Sequence, residues 1–265
     1  MSPSAASTTR AHDVPAEERF ERRLAHTLQA PALVAISHGT SSPTGQAAVA
    51  SLLAAVRESR PDLQVSGGFV DVQQPDVAAT LAAVADAAPA VVVPLLLSAG
   101  FHVHVDLVNE VRGTVGRSTA LSAALGPDDR LVTVLVRRLR EAGLRAGDEV
   151  VMAAAGSTDA RAVADCLETG RLLADRLGRA VTVGFISAAR PSLERAVLMA
   201  RQRTPGARVV VATYLLAPGY FADSAAHLGD VVSAPLLAVG EAPPPELVQL
   251  VVARYRELSA FAPLF

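Results

Sequence analysis

Val91-Val92-Val93-Pro94-Leu95-Leu96-Leu97-Ser98-Ala99-Gly100-Phe101-His102-Val103-His104-Val105-Asp106 is the stretch whose reading decides the fold. Seven apolar residues run into a small-residue turn, and two histidines one residue apart follow it. An apolar run of this length, bounded by a turn, predicts a strand buried on both faces, as in a parallel sheet. The turn then lies at the strand's carboxyl end, the edge where open α/β sheets hold their ligands. Two imidazoles at that edge are either a binding site or an accident, and the flanking sequence has to decide which.

Upstream, Ala32-Leu33-Val34-Ala35-Ile36-Ser37 reads as another buried strand, followed by the loop His38-Gly39-Thr40-Ser41-Ser42-Pro43. A helix with Val49, Leu52, Leu53 and Val56 on one face comes next. Leu63 to Val70 reads as a strand ending at Asp71, and Pro75 opens a helix through Ala87. Downstream, Val105 to Arg112 reads as helix and Thr119 to Leu125 as a weaker strand. An amphipathic helix with Leu131, Val134, Leu135 and Leu139 on one stripe closes the unit. Alternating strands and helices predict an α/β fold, a doubly wound, mainly parallel sheet flanked by helices.

The plan then repeats. Ile36-Ser37-His38-Gly39-Thr40 has its counterpart in Ala153-Ala154-Ala155-Gly156-Ser157, and Phe69-Val70-Asp71 with Pro75 in Phe185-Ile186-Ser187 with Pro191. Leu96-Leu97-Ser98-Ala99-Gly100-Phe101-His102 matches Leu215-Leu216-Ala217-Pro218-Gly219-Tyr220-Phe221, and Gly126 before Leu131 matches Gly240 before Leu247. The chain is read as two tandem copies of one unit. The expected organisation is a tail over residues 1–30, an N-terminal α/β domain over 31–146 and a C-terminal repeat over 147–265, with the boundary in Ala142–Asp148. Glu17 to Leu28 is a short helix candidate within the tail.

Three polar residues disappear together in the second copy: His38 becomes Ala155, Asp71 becomes Ser187 and His102 becomes Phe221. The pattern points to one working site in the first copy and a second copy that supplies a wall. Each of the three lies just past the end of a different parallel strand, so all three emerge on one sheet edge. Neighbouring strands lie about 4.8 Å apart, close enough for the side chains to meet. Two imidazoles and a carboxylate suit a divalent first-row metal and leave coordination positions open. His104 either sits beside this site or faces solvent, and His12, His26 and His227 have no partners at comparable positions.

The composition narrows the functional classes. The 265 residues are 51% apolar, enough for a large core, and the net charge of -2 gives no electrostatic case for nucleic acid. All 24 basic residues are Arg, which reads as the base composition of a GC-rich genome. The single Cys166 excludes an internal disulfide framework and any thiolate metal cluster and reads as a small core residue. No run reaches the roughly 18 apolar residues of a membrane span, and the N-terminus lacks a signal's apolar segment. A soluble cytoplasmic protein is expected.

The sequence resembles the sirohydrochlorin chelatase family, the class II chelatases of cobalamin and siroheme biosynthesis, in its long two-repeat form. Ser37-His38-Gly39-Thr40, Phe69-Val70-Asp71 with Pro75, and Pro94-Leu95-Leu96-Leu97-Ser98-Ala99-Gly100-Phe101-His102-Val103 carry the resemblance, which covers about Ala32 to Ala260. It implies two chelatase-like domains and a lyase-type enzyme, a cobaltochelatase or ferrochelatase, that inserts a divalent metal into a tetrapyrrole bearing eight carboxylates. It implies that His38 and His102 bind or deliver the metal, with Asp71 where many relatives have Glu. The metal, Co2+, Fe2+ or Ni2+, is then a substrate, and no tightly bound cofactor is implied. Arg112, Arg117 and Arg190 are candidates for holding the substrate's carboxylates at the rim of an apolar cleft.

Two rival readings use the same sequence. One is a non-catalytic protein that binds metal or tetrapyrrole and hands it on. The other is a domain that binds a phosphorylated small molecule at the Gly39-Thr40-Ser41-Ser42 turn, although the spacing is not that of a P-loop or dinucleotide fingerprint. Monomer and homodimer are both compatible with the sequence, because the duplication already provides two lobes.

Overall fold

The computed structural model describes residues 30–84, 88–98, 100, 107–111, 113 and 118–259. Strand β1 (Ala32–Ser37) is buried along its whole length, so both of its faces need cover. It lies between β2 (Val65–Phe69) and β3 (Ala90–Pro94), parallel to both, and β4 (Thr119–Leu121) pairs with the far side of β3. The order β2-β1-β3-β4 recurs as β6-β5-β7-β8 in a second parallel sheet. Its strands are β5 (Glu149–Ala154), β6 (Val181–Phe185), β7 (Val209–Tyr214) and β8 (Val231–Val232). The fold is α/β with two tandem repeats, as the alternation and the internal matches lead one to expect.

The helices are α1 (Pro43–Ser59), α2 (Val77–Ala82), α3 (Asp129–Glu141), α4 (Ala160–Leu177), α5 (Leu193–Arg203), α6 (Tyr220–Ala225) and α7 (Pro245–Ser259). Ser42 caps α1 by accepting from the Gly45 amide, and Pro43 sits in its first turn, where no helical donor is lost. The expected apolar stripes are present: Leu52, Val56, Leu131, Val134, Leu135 and Leu139 are fully buried.

Some boundaries differ from the sequence reading. The second strand covers only Val65–Phe69, and the helix after Pro75 begins at Val77, capped by Asp76. Pro75 is instead tied to the sheet, its carbonyl accepting from the Phe69 amide at 3.0 Å. Strand β3 ends at Pro94; past it, the Leu95 amide still donates to Ile36 and Leu96 accepts from Leu125. The helix expected over Val105–Arg112 is seen at residues 107–111, and the tail helix candidate lies outside the described residues.

Helix α3 packs on β7 of the second sheet, and α7 packs on β3 of the first and against α1. Each copy therefore lends its last helix to the other. Leu33, Val91, Val134, Met152, Val210 and Leu250 share one core that runs through both copies, while the outer face of each sheet has a smaller core. Polar contacts reinforce the exchange. Arg254 of α7 donates to the Ala124 and Leu125 carbonyls at 2.8 and 3.1 Å. Arg138 of α3, 2% exposed, donates to the Leu236 carbonyl at 3.2 Å and pairs with Glu241 at 2.7 Å. Arg137 of α3 pairs with Glu246 of α7. No helix among the described residues is long and apolar enough to cross a membrane.

Candidate metal centre

His38 and Asp71 come together through the backbone. In the parallel register Ser37 lies opposite Phe69, and one step on the Asp71 amide donates to the His38 carbonyl at 3.0 Å. Both side chains are exposed at the carboxyl edge of the first sheet. Gly39, at φ +95, turns the chain immediately after His38. A β-carbon there would overlap the Asp71 carbonyl oxygen, so only glycine allows the two strand ends to approach this closely.

Gln73 and Gln46 complete the turn. The Thr40 amide donates to Gln73 Oε1 at 2.9 Å, and Gln46 Nε2 donates to the Thr40 carbonyl at 2.8 Å. Neither glutamine stands out in the sequence, because polar residues in a loop, as Gln73 is, or in the first turn of a helix, as Gln46 is, are ordinary. The Ser42 amide takes Thr40 Oγ1 and the Gly45 amide takes Ser42 Oγ. Two of the four amides of the Gly39-Thr40-Ser41-Ser42 turn, those of Thr40 and Ser42, thus already have partners within the fold and are not free for a phosphate. Asp71 Oδ1 accepts from the Val72 amide at 2.7 Å, so one carboxylate oxygen braces its own turn. The other oxygen is the one chemically suited to an ion.

The third member of the expected set, His102, lies outside the described residues, as do His104, Arg112 and Arg117. Its strand is placed: β3 adjoins β1 on the side away from β2, so β1 and His38 stand between the other two strand ends. Among the described residues, no three His, Cys, Asp or Glu side chains cluster as an ion site. Arg190 is exposed in the loop after β6, and His227 is exposed.

The second copy reproduces the frame without the chemistry. Gly156 has the same φ of +95 and the same close approach, to the carbonyl of Ser187. The Ser187 amide donates to Ala155 at 2.9 Å, as Asp71 does to His38. Val72 and Ala188 share a left-handed backbone, and Pro75 and Pro191 each follow a cis peptide bond. The turn is thus a property of the fold, and the imidazole and carboxylate are additions to one copy.

The loops of the two copies face one another. A β-carbon on Gly219 would stand 3.3 Å from Thr40 Oγ1, and one on Gly100 would stand 3.6 Å from Ser157 Oγ. Tyr220 and Phe221, next along from Gly219, are exposed and packed edge to face at 5.7 Å. This exposed aromatic pair therefore begins one residue after the point where the second copy meets the His38 loop. A cavity of about 530 Å³ lies against α6, lined by Thr213, Ala222, Asp223 and Ser233 among others. Neither His38 nor Asp71 lines it.

A family model, CbiX, matches residues 32–142 and 149–233. The chain belongs to the CbiX family. This bears out the resemblance to the sirohydrochlorin chelatases in their two-repeat form. SirB from Bacillus subtilis with Fe3+ is similar at a TM-score of 0.71 and 19% identity, over 87% of the CbiX-family chain and 96% of SirB. The sirohydrochlorin chelatase SirB from Bacillus subtilis subspecies spizizenii, in complex with cobalt, is similar at 0.67 and 16%, with the same coverage. A Deinococcus radiodurans multi-domain protein with structural similarity to chelatases matches at 0.59 and 20%, over 86% of the CbiX-family chain and 54% of its own length. At these identities the likeness concerns the fold. No curated protein matches the sequence.

Proposed function

We propose that this CbiX-family chain is a sirohydrochlorin chelatase, inserting Co2+ or Fe2+ into the tetrapyrrole in cobalamin or siroheme biosynthesis, with Ni2+ a further candidate metal. The observation that carries the reading is the pair of matched turns. The same backbone frame occurs twice, and only the copy within residues 31–146 adds His38 and Asp71 to it. A structural role for these residues would have served both copies equally.

In this reading His38 and His102 hold the incoming ion, and Asp71 is a third ligand or a charge partner through its unengaged oxygen. The ion exchanges water for the four ring nitrogens, and two pyrrole N–H protons leave, so a dication replaces two protons. Metal binding lowers the proton affinity of the ring nitrogens, so groups as weakly basic as imidazole or carboxylate suffice to accept them. The Tyr220–Phe221 pair suits one face of a macrocycle, and exposed arginines such as Arg190 suit its carboxylates. Residues 147–265 serve as wall and support.

The test is turnover. Sirohydrochlorin in large excess over protein is mixed with Co2+, Fe2+ or Ni2+ in parallel, and the tetrapyrrole absorbance is followed. Accelerated conversion well beyond one equivalent per chain is the expected result. Conversion that stops at one equivalent, or runs at the rate without protein, would replace the enzyme by a delivery protein.

A further inference from the structure

The turns that follow the first two strands of each copy are tied together by different side chains. With Gly39 matched to Gly156 and Pro75 to Pro191, Asp71 answers to Ser187, Gln73 to Ala189, Thr40 to Ser157 and Gln46 to Val163. The backbone bonds are alike on both sides. The Gln73 amide donates to the Asp71 carbonyl at 2.7 Å, and the Ala189 amide to the Ser187 carbonyl at 2.6 Å. The hydroxyl turn recurs as well, Thr40 Oγ1 accepting from the Ser42 amide and Ser157 Oγ from the Asp159 amide. What differs is the side chain that joins one turn to the other.

In the second copy Ser187 makes the join itself, its hydroxyl donating to the Ala155 carbonyl at 3.0 Å. Asp71 cannot do the same, because an ionised carboxylate has no proton to give to a carbonyl. Its Oδ1 instead accepts from the adjacent Val72 amide. In the first copy the join passes to Gln73, two residues on, whose Oε1 accepts from the Thr40 amide at 2.9 Å. Gln46 of α1 takes the other end of the same residue, its Nε2 donating to the Thr40 carbonyl at 2.8 Å. Thr40 is thus gripped at its N–H and its C=O by two side chains whose counterparts, Ala189 and Val163, have no polar group to offer.

We infer that Gln73, with Gln46, is a positioning residue that locks the His38 turn against the Asp71 turn, so that imidazole and carboxylate are held side by side for one divalent ion. The inference rests on the chelatase reading for the identity of that ion, and deepens it by naming what holds the pair. The clamp relieves position 71 of the structural task that Ser187 performs in the other copy and leaves a carboxylate there for chemistry. Supporting hydrogen bonds orient ligands at metal sites generally, and loss of one costs about 10- to 100-fold in affinity.

Ser187→Ala supplies a matched control, since it deletes the turn-to-turn bond in the copy without His38 and Asp71. Thermal midpoints, Co2+ titration by calorimetry and sirohydrochlorin turnover are measured for the wild type, Gln73→Met, Gln73→Glu, Gln46→Met and Ser187→Ala. Gln73→Met keeps the side chain's length and removes the acceptor. It should weaken Co2+ binding about tenfold, whereas Ser187→Ala should lower the thermal midpoint comparably and leave Co2+ affinity within about twofold of wild type. In turnover, Gln73→Met should raise the KM for metal more than it lowers kcat. Gln73→Glu restores an acceptor for the Thr40 amide and should bind Co2+ at least as tightly as the wild type. Gln46→Met should weaken binding in the same direction, and it decides the matter if Gln73→Met does not fold. Wild-type affinity in Gln73→Met or Gln46→Met overturns the inference. So does a loss in Gln73→Glu or Ser187→Ala equal to that in Gln73→Met, or a wild-type protein that takes up no Co2+. Co2+ binding without turnover would remove the chelatase reading alone, and the affinities would still decide the role of Gln73.

Discussion

Gly39 and Gly156 occupy the same turn in the two copies, and each meets a carbonyl oxygen where a β-carbon would go. A left-handed backbone costs an L-residue on the order of 1–2 kcal/mol before any overlap is counted. Gly39→Ala and Gly156→Ala are therefore each expected to lower unfolding free energy by at least about 2 kcal/mol, read from urea titrations. Only Gly39→Ala should also weaken Co2+ binding, because only that turn carries His38 and Asp71. At this scale the sequence was informative where chemistry breaks a pattern. His38 and Asp71 stand out because a polar residue ends an apolar run and is missing from the sister copy. Tyr214 does not stand out. A lone phenol closing Val209-Val210-Val211-Ala212-Thr213 reads as core, and nothing local shows that its hydroxyl donates to the Leu97 carbonyl of the first copy.

At the scale of elements, the strand–helix alternation was legible because buried parallel strands have no polar face. The error at Pro75 has a clear cause. Proline in a first helical turn and proline just before a cap look alike in sequence, and the long-range bond from the Phe69 amide to the Pro75 carbonyl separates them. Asp148, just before β5, links that strand to β7. Its carboxylate accepts from Arg208 at 2.6 and 3.0 Å and from the Arg145 amide at 2.7 Å. The Arg208 guanidinium holds the Asp148 carboxyl below the usual carboxylate range. Because the native value is the lower one, the contribution is complete above the unfolded value of about 3.9. It is lost as pH falls through the depressed native value. Asp148→Asn should lower the thermal midpoint at neutral pH and flatten its decline in acid. Parallel pH profiles for variant and wild type would show that Asp148 contributes no such linkage.

On the scale of the whole molecule, the duplication was readable and the exchange of helices was not. An amphipathic stripe on α3 says that one face is buried; it does not say against which sheet. The exchange makes the core continuous, so residues 31–146 and 147–265 expressed separately should each lack a cooperative unfolding transition. Mixing them should restore one transition, together with Arg254 and Arg138 contacts across the halves. Two independent transitions in the separate halves would contradict a shared core. The exchange also makes each copy part of the other's core, so the copy without His38 and Asp71 supports the one that carries them.

The measurement that bears most directly on the proposed metal centre is sirohydrochlorin turnover with Co2+ by His38→Ala beside the wild type. His38 is exposed at the sheet edge, so its removal should leave the thermal midpoint unchanged. Loss of the proposed ligand and proton acceptor should lower the rate on the order of a hundredfold. A variant that keeps the full rate would contradict the placement of the site.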